Sequence, residues 1–220
     1  MDQAAFVVPA AREGTLKRRI SVLVVLATAV ASALTFGTAR GQAGLITGLL
    51  SCPGATYTQP FTAWGDPNSY FLATGGSFEG NNSWSLAGGA QVVAGNEPFN
   101  LNSSSDSHSL LLPPGSSATT PAMCLAALSP HMRLVGKASD GSGVHVDVYA
   151  TGLLGLIRLP VSANIDLSNS WGPSGDVSLL LQNVMAITNL GKTSIVFRFS
   201  PAGSSTVQID DVYVDPIFHE

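Results

Sequence analysis

The chain has 220 residues, 45% of them hydrophobic and only 11% charged, with 23 Gly and 13 Pro, enough for one core of ordinary size plus appendages. Past residue 43, five Lys and Arg stand against twelve Asp and Glu, a net charge of −7 with His neutral; this argues against nucleic acid as a partner, because too few cations are present to neutralise phosphates. Long helical patterns are absent after residue 45, and short runs of Val, Ile, Leu and Tyr bounded by Gly, Pro, Asn and Ser recur, which predicts an all-β domain.

The first 43 residues read as an export signal. Lys17-Arg18-Arg19 precedes an apolar run over residues 20–36, and small residues follow, with cleavage after Ala39 or Ala43. Left uncleaved, the 17-residue run is a marginal membrane anchor and the only part of the chain expected to meet a membrane. The mature protein is therefore expected to be secreted or at the cell surface. A twin-arginine signal fits poorly, since Ser21 takes a place usually apolar. A lipoprotein site at Cys52 fits worse, lying too far from the apolar run. Export makes Cys52 and Cys124, the only two cysteines, a default disulfide closing a 71-residue loop, with on the order of 4 kcal/mol of stabilisation. A catalytic thiol at Cys124 has no basic neighbour in sequence to support it.

Residues 44–74 read as an irregular lead-in with short strands at 57–61 and 69–73, joined by the turn Trp64-Gly65-Asp66-Pro67-Asn68. The domain proper is placed at 75–220. Gly75-Gly76-Ser77-Phe78-Glu79-Gly80 and Ser83-Trp84-Ser85-Leu86 predict two strands around a Gly/Asn turn, and Gln91-Val92-Val93-Ala94 a third. A polar loop over 96–106 leads to a strand at 108–112 that Pro113-Pro114-Gly115 stops. Residues 116–128, which hold Cys124, are ambiguous between a strand and a short helical turn, with strand favoured by the order of the neighbouring elements. Strands at 133–138 and 144–150 flank Ser139-Asp140-Gly141-Ser142-Gly143, read as a hairpin. Residues 152–165 form a strand pair or loop, and further strands are expected at 176–182, 195–199 and 207–214. This spacing predicts a two-sheet antiparallel sandwich.

The last strand carries the sharpest signal. Val207 and Ile209 keep a period of two, as do Val212 and Val214, yet the pairs are one residue out of phase across Asp210-Asp211. Both can face one core only through an inserted residue, a β-bulge at the twin acids. A carboxylate turned inward there needs a partner, and with few Lys or Arg available a hard cation such as Ca²⁺ supplies one.

Three motifs in order, G-x-F-E-G followed by a Trp, S-x-S-L-L-L, and V-x-I-D-D-V, resemble the jelly-roll carbohydrate-binding modules of galactose-binding-like fold attached to bacterial xylanases and glucanases. The resemblance spans residues 75–216. It implies a structural Ca²⁺ held by the side chains of Glu79 and Asp210, with Asp106 as a third and backbone oxygens near Ser77 completing the shell. The plainer alternative has Glu79 accepting backbone hydrogen bonds or pairing with Arg198, and the two aspartates facing water. The resemblance also implies a polysaccharide or glycan as partner.

Such modules stack sugars on aromatics and hydrogen-bond the hydroxyls. In Val144-His145-Val146-Asp147-Val148-Tyr149 the valines take one face, and His145, Asp147 and Tyr149 the other. These three, with Trp171 in the loop Ser170-Trp171-Gly172-Pro173, are the candidate ligand-binding residues; an ordinary solvent face is the plainer reading. Trp84 reads as core. Catalysis has little support: no G-x-S-x-G, H-E-x-x-H or phosphate-cradling loop occurs, and the four histidines lie in unrelated contexts. A carboxylate pair such as Asp147 and Glu97 is open to a glycosidase reading, though nothing singles it out. The chain is thus expected to be an exported, non-catalytic jelly-roll domain that binds carbohydrate, with a structural or adhesion domain lacking a sugar ligand as the alternative.

Overall fold

The structure, a computed structural model, describes residues 55–80, 83–126, 131–151, 158–179 and 192–215. The export signal, Cys52 and the stretch 180–191 lie outside them. All the described residues belong to one unit, Gly44–Glu220, and among them no helix is long and apolar enough to cross a membrane.

The fold is all-β, two antiparallel sheets face to face. The first holds β1 (Tyr57–Thr58), β2 (Tyr70–Leu72), β4 (Gln91–Ala94), β5 (His108–Leu112), β8 (His131–Ala138), β11 (Gly172–Pro173), β12 (Val177–Ser178) and β14 (Val207–Asp215). The second holds β3 (Ser85–Ala87), β6 (Ser117–Thr119), β7 (Met123–Ala126), β9 (Val144–Thr151), β10 (Arg158–Ile165) and β13 (Lys192–Pro201). Between them the main core gathers Leu110, Leu112, Met132, Leu134, Val207, Ile209, Val212 and Val214 from the first sheet and Val144, Val146, Val148, Ile195, Phe197 and Phe199 from the second. Burying each such side chain is worth about 1.5–3 kcal/mol against exposure. Trp84 lies stacked on Phe199 within this core, with ring centroids 5.6 Å apart.

Each sheet is built on a central strand. β14 pairs β8 along one side, while on the other β5 meets residues 207–209 and β2 meets residues 213–214. β13 likewise pairs β9 on one side and β7 then β6 on the other. Where β7 gives way to β6, the Thr120 amide donates to the Phe197 carbonyl and its hydroxyl accepts from the Phe197 amide, closing the gap.

The bulge expected in the last strand is present. Asp210 faces Val135 but Tyr213 faces Arg133, one residue more on β14 than on β8, and Asp211 takes a left-handed φ of 47°. All four residues of the out-of-phase pairs reach the same core.

Several expectations are corrected. The lead-in segment is part of the sandwich, since β1 and β2 extend the first sheet, so the boundary at residue 75 cuts through it. Residues 74–77 turn rather than extend, with Gly75 at φ 70° and Phe78 at φ 57°. The stretch 139–143 is not a hairpin: β8 and β9 belong to opposite sheets, and the turn carries the chain across the sandwich. Gly143, at φ 98°, lies so close to Ile165 that a Cβ would stand 2.0 Å from its carbonyl oxygen. The stretch 116–128, by contrast, meets the favoured expectation of strand: its described residues hold β6 and β7.

A second apolar cluster covers the outer face of the first sheet. Phe61, Tyr70, Val135 and Tyr213 pack there with Trp171 and Leu101 against them. Arg133 clamps it, 2.5 Å from Asp66 and 4.5 Å above the Phe61 ring, while donating to the Ser174 carbonyl; Tyr70 donates to the same Asp66 at 2.6 Å.

Candidate functional site

The bulge sits where β14 changes neighbours, so on that side the ladder is interrupted at residues 210–212. Two loops fill the gap. From the Gly-Gly turn, the Ala73 amide donates to the Val212 carbonyl at 2.8 Å, and the Val212 amide donates to the Gly76 carbonyl at 3.1 Å. From the loop between β4 and β5, the Glu97 amide donates to Asp210 Oδ2 at 3.3 Å and the Asn102 amide to Asp211 Oδ2 at 3.2 Å. Glu97 turns its carboxylate back on its own loop, accepting from the Phe99 and Leu101 amides. Asn102 Nδ2 donates to Asp106 at 2.7 Å. Glu79 accepts from the Ser107 and His108 amides and lies 3.0 Å from His108 Nδ1.

The result is an unbalanced concentration of negative charge. Asp210, Asp211 and Glu97 are 0%, 1% and 1% exposed, and among the described residues no Lys or Arg forms an ion pair with them, Glu79 or Asp106. Burial pushes both aspartates well above the usual carboxylate range. The Asp211 charge adds to the shift at Asp210, and the charges of Glu97, Asp106 and Glu79 add to that at Asp211. Asp211 Oδ1 and both amide atoms of Asn96 are buried without a hydrogen-bond partner. Hard oxygen donors, excess negative charge and an orphaned carboxylate oxygen suit Ca²⁺. Among the described residues, no three His, Cys, Asp or Glu side chains already stand at metal-binding spacing.

The outer face of the second sheet is polar. Alternation along β9 turns Val144, Val146 and Val148 inward and His145, Asp147 and Tyr149 outward. Asp147 Oδ1 accepts from Ser162 Oγ at 2.5 Å and lies 3.2 Å from His145 Nε2, whose Nδ1 is 2.8 Å from Asn164 Oδ1. β13 sets Ser200, Arg198 and Val196 opposite His145, Asp147 and Tyr149. This is no catalytic triad: serine and histidine meet the same carboxylate oxygen, and no base is aimed at the serine hydroxyl. Nor do Asp147 and Glu97 face one another, since one lies outside the second sheet and the other is buried behind the first.

The structure brings His145, Asp147 and Tyr149 together and leaves Trp171 apart, on the outside of the other sheet. It gathers Glu79, Asp106 and Asp210 around one loop, and adds Asp211, Glu97 and Asn102. Asp211 could be read from the twin acids, although only Asp210 is named as a ligand by the resemblance; Glu97, a lone acid in a polar loop, carries no metal signal in the sequence and enters there only beside Asp147. Cys124 is disulfide-bonded, and the chain's other cysteine, Cys52, lies outside the described residues.

No protein-family model matches the chain, and no curated protein does. Solved structures similar to it include a CBM22 xylan-binding domain from Paenibacillus barcinonensis, 13% identical with a TM-score of 0.39, covering 66% of this chain and 93% of that one. A family 11 carbohydrate-binding module from Clostridium thermocellum, in complex with a β-1,3-1,4-mixed-linked tetrasaccharide, is 12% identical with a TM-score of 0.39, covering 66% and 95%. The enzymatically active domain of tailspike protein 4 of bacteriophage CBA120 is 18% identical with a TM-score of 0.39, covering 64% of this chain and 20% of that one. Carbohydrate-binding modules recur among these similar structures, but at such identities and TM-scores the likeness assigns no ligand, and the fold stands on the chain's own two sheets.

Proposed function

We propose that this chain is an exported, non-catalytic carbohydrate-binding domain that takes a glycan on the outer face of β9, β10 and β13. The observation that carries the reading is the hydrogen-bonded row His145–Asp147–Ser162–Asn164, beside Tyr149 and Arg198. Sugar hydroxyls both donate and accept, and this row offers both functions in fixed positions, with the tyrosine ring as an apolar edge. Because Tyr149 is the one aromatic side chain among the described residues of that face, recognition rests on hydrogen bonds more than on stacking along a chain. A Ca²⁺ at the Asp211–Glu97–Glu79 cluster would serve structure, tying the turn at residues 73–79 and the loop at 95–107 to β14.

The test is retention of the mature chain on polysaccharide affinity gels and a glycan array, comparing wild type with Tyr149→Ala and Asp147→Ala. Loss of retention with unchanged melting supports the reading. The second reading, a structural or adhesion domain without a sugar ligand, is favoured by that single aromatic, and no retention on any glycan would select it.

A further inference from the structure

We propose a second binding site, on the opposite sheet, for a sugar bearing a carboxylate. Where the outer apolar cluster ends, the first sheet carries an open cleft of about 270 Å³ between β5, β8 and β14, lined by Leu111, Lys137, Ser139, Asn169, Thr206 and Gln208. The volume lies just under the roughly 300–1,000 Å³ of drug-sized sites, so it holds one ring rather than a chain.

Lys137 sets the chemistry. It is one of five cations in the mature chain, and Arg133 is already committed to Asp66 and Asp176. Among the described residues no carboxylate stands within ion-pair distance of Lys137. Its ammonium instead lies 4.8 Å from the centre of the Trp171 ring. That contact explains the tryptophan: its face is occupied by a cation, so it positions the lysine rather than stacking on a sugar. An ammonium held at the edge of a cleft, where the residues past 43 carry a net charge of −7, selects a localised anion.

The remaining walls select a sugar over a bare anion. Gln208, Thr206, Asn169 and Ser139 present amide and hydroxyl groups that both donate and accept, and Leu111 offers an apolar surface for the ring's C–H face. Gln208 is held in place through its Nε2, which donates to Ser109 Oγ at 3.1 Å. One carboxylate beside several hydroxyls is the pattern of a uronic acid.

The site shares no residue with the β9 face, so the two readings fail separately. Calorimetric or NMR titration of the mature chain with methyl glucuronide and methyl galacturonide should show millimolar binding that weakens with added salt. Lys137→Gln should weaken it about tenfold or more, the equivalent of losing one charge-assisted contact. Lys137→Arg should retain most of it, which also covers the case of Lys137→Gln failing to fold. Tyr149→Ala should leave it unchanged. The proposal is overturned if the neutral methyl glucoside or acetate alone binds as tightly as the uronides. It is equally overturned if Lys137→Gln folds and binds like wild type, or if no uronide binds more tightly than about 10 mM.

Discussion

The amide of Val212 donates to the carbonyl of Gly76 at 3.1 Å, joining the G-G-S-F-E-G segment to the bulge of the last strand. The approach is close because residue 76 has no side chain. A Cβ there would stand 2.9 Å from the Val212 carbonyl oxygen and 3.0 Å from that of Ala73, both backbone atoms that cannot swing aside.

Gly76→Ala should therefore cost about 1–3 kcal/mol, as overpacking against fixed backbone does, and lower the melting midpoint by several degrees. Gly172→Ala, where a Cβ meets nothing within 4 Å, should change stability by less than about 0.5 kcal/mol. Equal midpoints for the two variants in a thermal melt would show that the turn yields to a methyl group, contrary to the close approach.

How much of this was legible in the chain follows from which residues report their own surroundings. Four valine and isoleucine positions out of phase by one residue can reach one core only through an insertion, so the bulge could be read from residues 207–214 alone. The alternation of β9 was equally self-contained. Phe78 was not: an apolar residue spaced like a strand residue takes a left-handed φ because the turn around it is fixed by Val212, more than a hundred residues away. Ser139-Asp140-Gly141-Ser142-Gly143 has the composition of a hairpin, and composition cannot tell a return within one sheet from a crossing to the other. Trp171 reads as exposed in a loop until the lysine over its face is seen.

The charge at the bulge makes a prediction about pH and metal together. Asp210 and Asp211 have folded pKa values raised above the unfolded value of about 3.9. The folded state then binds more protons than the unfolded one, so the metal-free chain loses stability as pH rises from about 4 through the folded pKa values. Ca²⁺ favours the ionised carboxylates, so its stabilisation should grow over the same range. Melting midpoints measured from pH 5 to 8 should fall with pH in EDTA and stay level in excess Ca²⁺, and Asp211→Asn should narrow the gap between the curves. Superimposable curves would count against a structural ion.

Arg133 and Asp66 carry the attachment of the lead-in segment to the first sheet. Their side chains are 12% and 13% exposed and 2.5 Å apart, and each has a second partner, Ser174 for the arginine and Tyr70 for the aspartate. Removing Asp66 leaves the mostly buried Arg133 with only the exposed Asp176, 3.4 Å away, as its remaining carboxylate, so Asp66→Ala should destabilise by about 2–3 kcal/mol. The double variant Asp66→Ala/Arg133→Met should recover part of that loss, because no uncompensated charge remains. A double variant whose loss equals the sum of the two single losses would show that the pair contributes nothing beyond its separate contacts.

On the β9 face, the roles of Tyr149 and Asp147 separate by substitution. Tyr149 borders the row, opposite Val196 and Pro160, so Tyr149→Phe should keep most glycan affinity if the ring edge matters, and Tyr149→Ala should lose about tenfold. Asp147 is the acceptor shared by Ser162 and His145. Both meet the same oxygen, Oδ1, so Asp147→Asn can keep that acceptor but removes the negative charge that strengthens the two bonds, and affinity should drop several-fold although shape is preserved. Affinity electrophoresis on the retaining polysaccharide, with circular dichroism to confirm the fold, distinguishes these outcomes. If Asp147→Asn binds like wild type while Tyr149→Ala does not, the hydrogen-bonded row is scaffold, and the sugar is held by the tyrosine and its β13 neighbours.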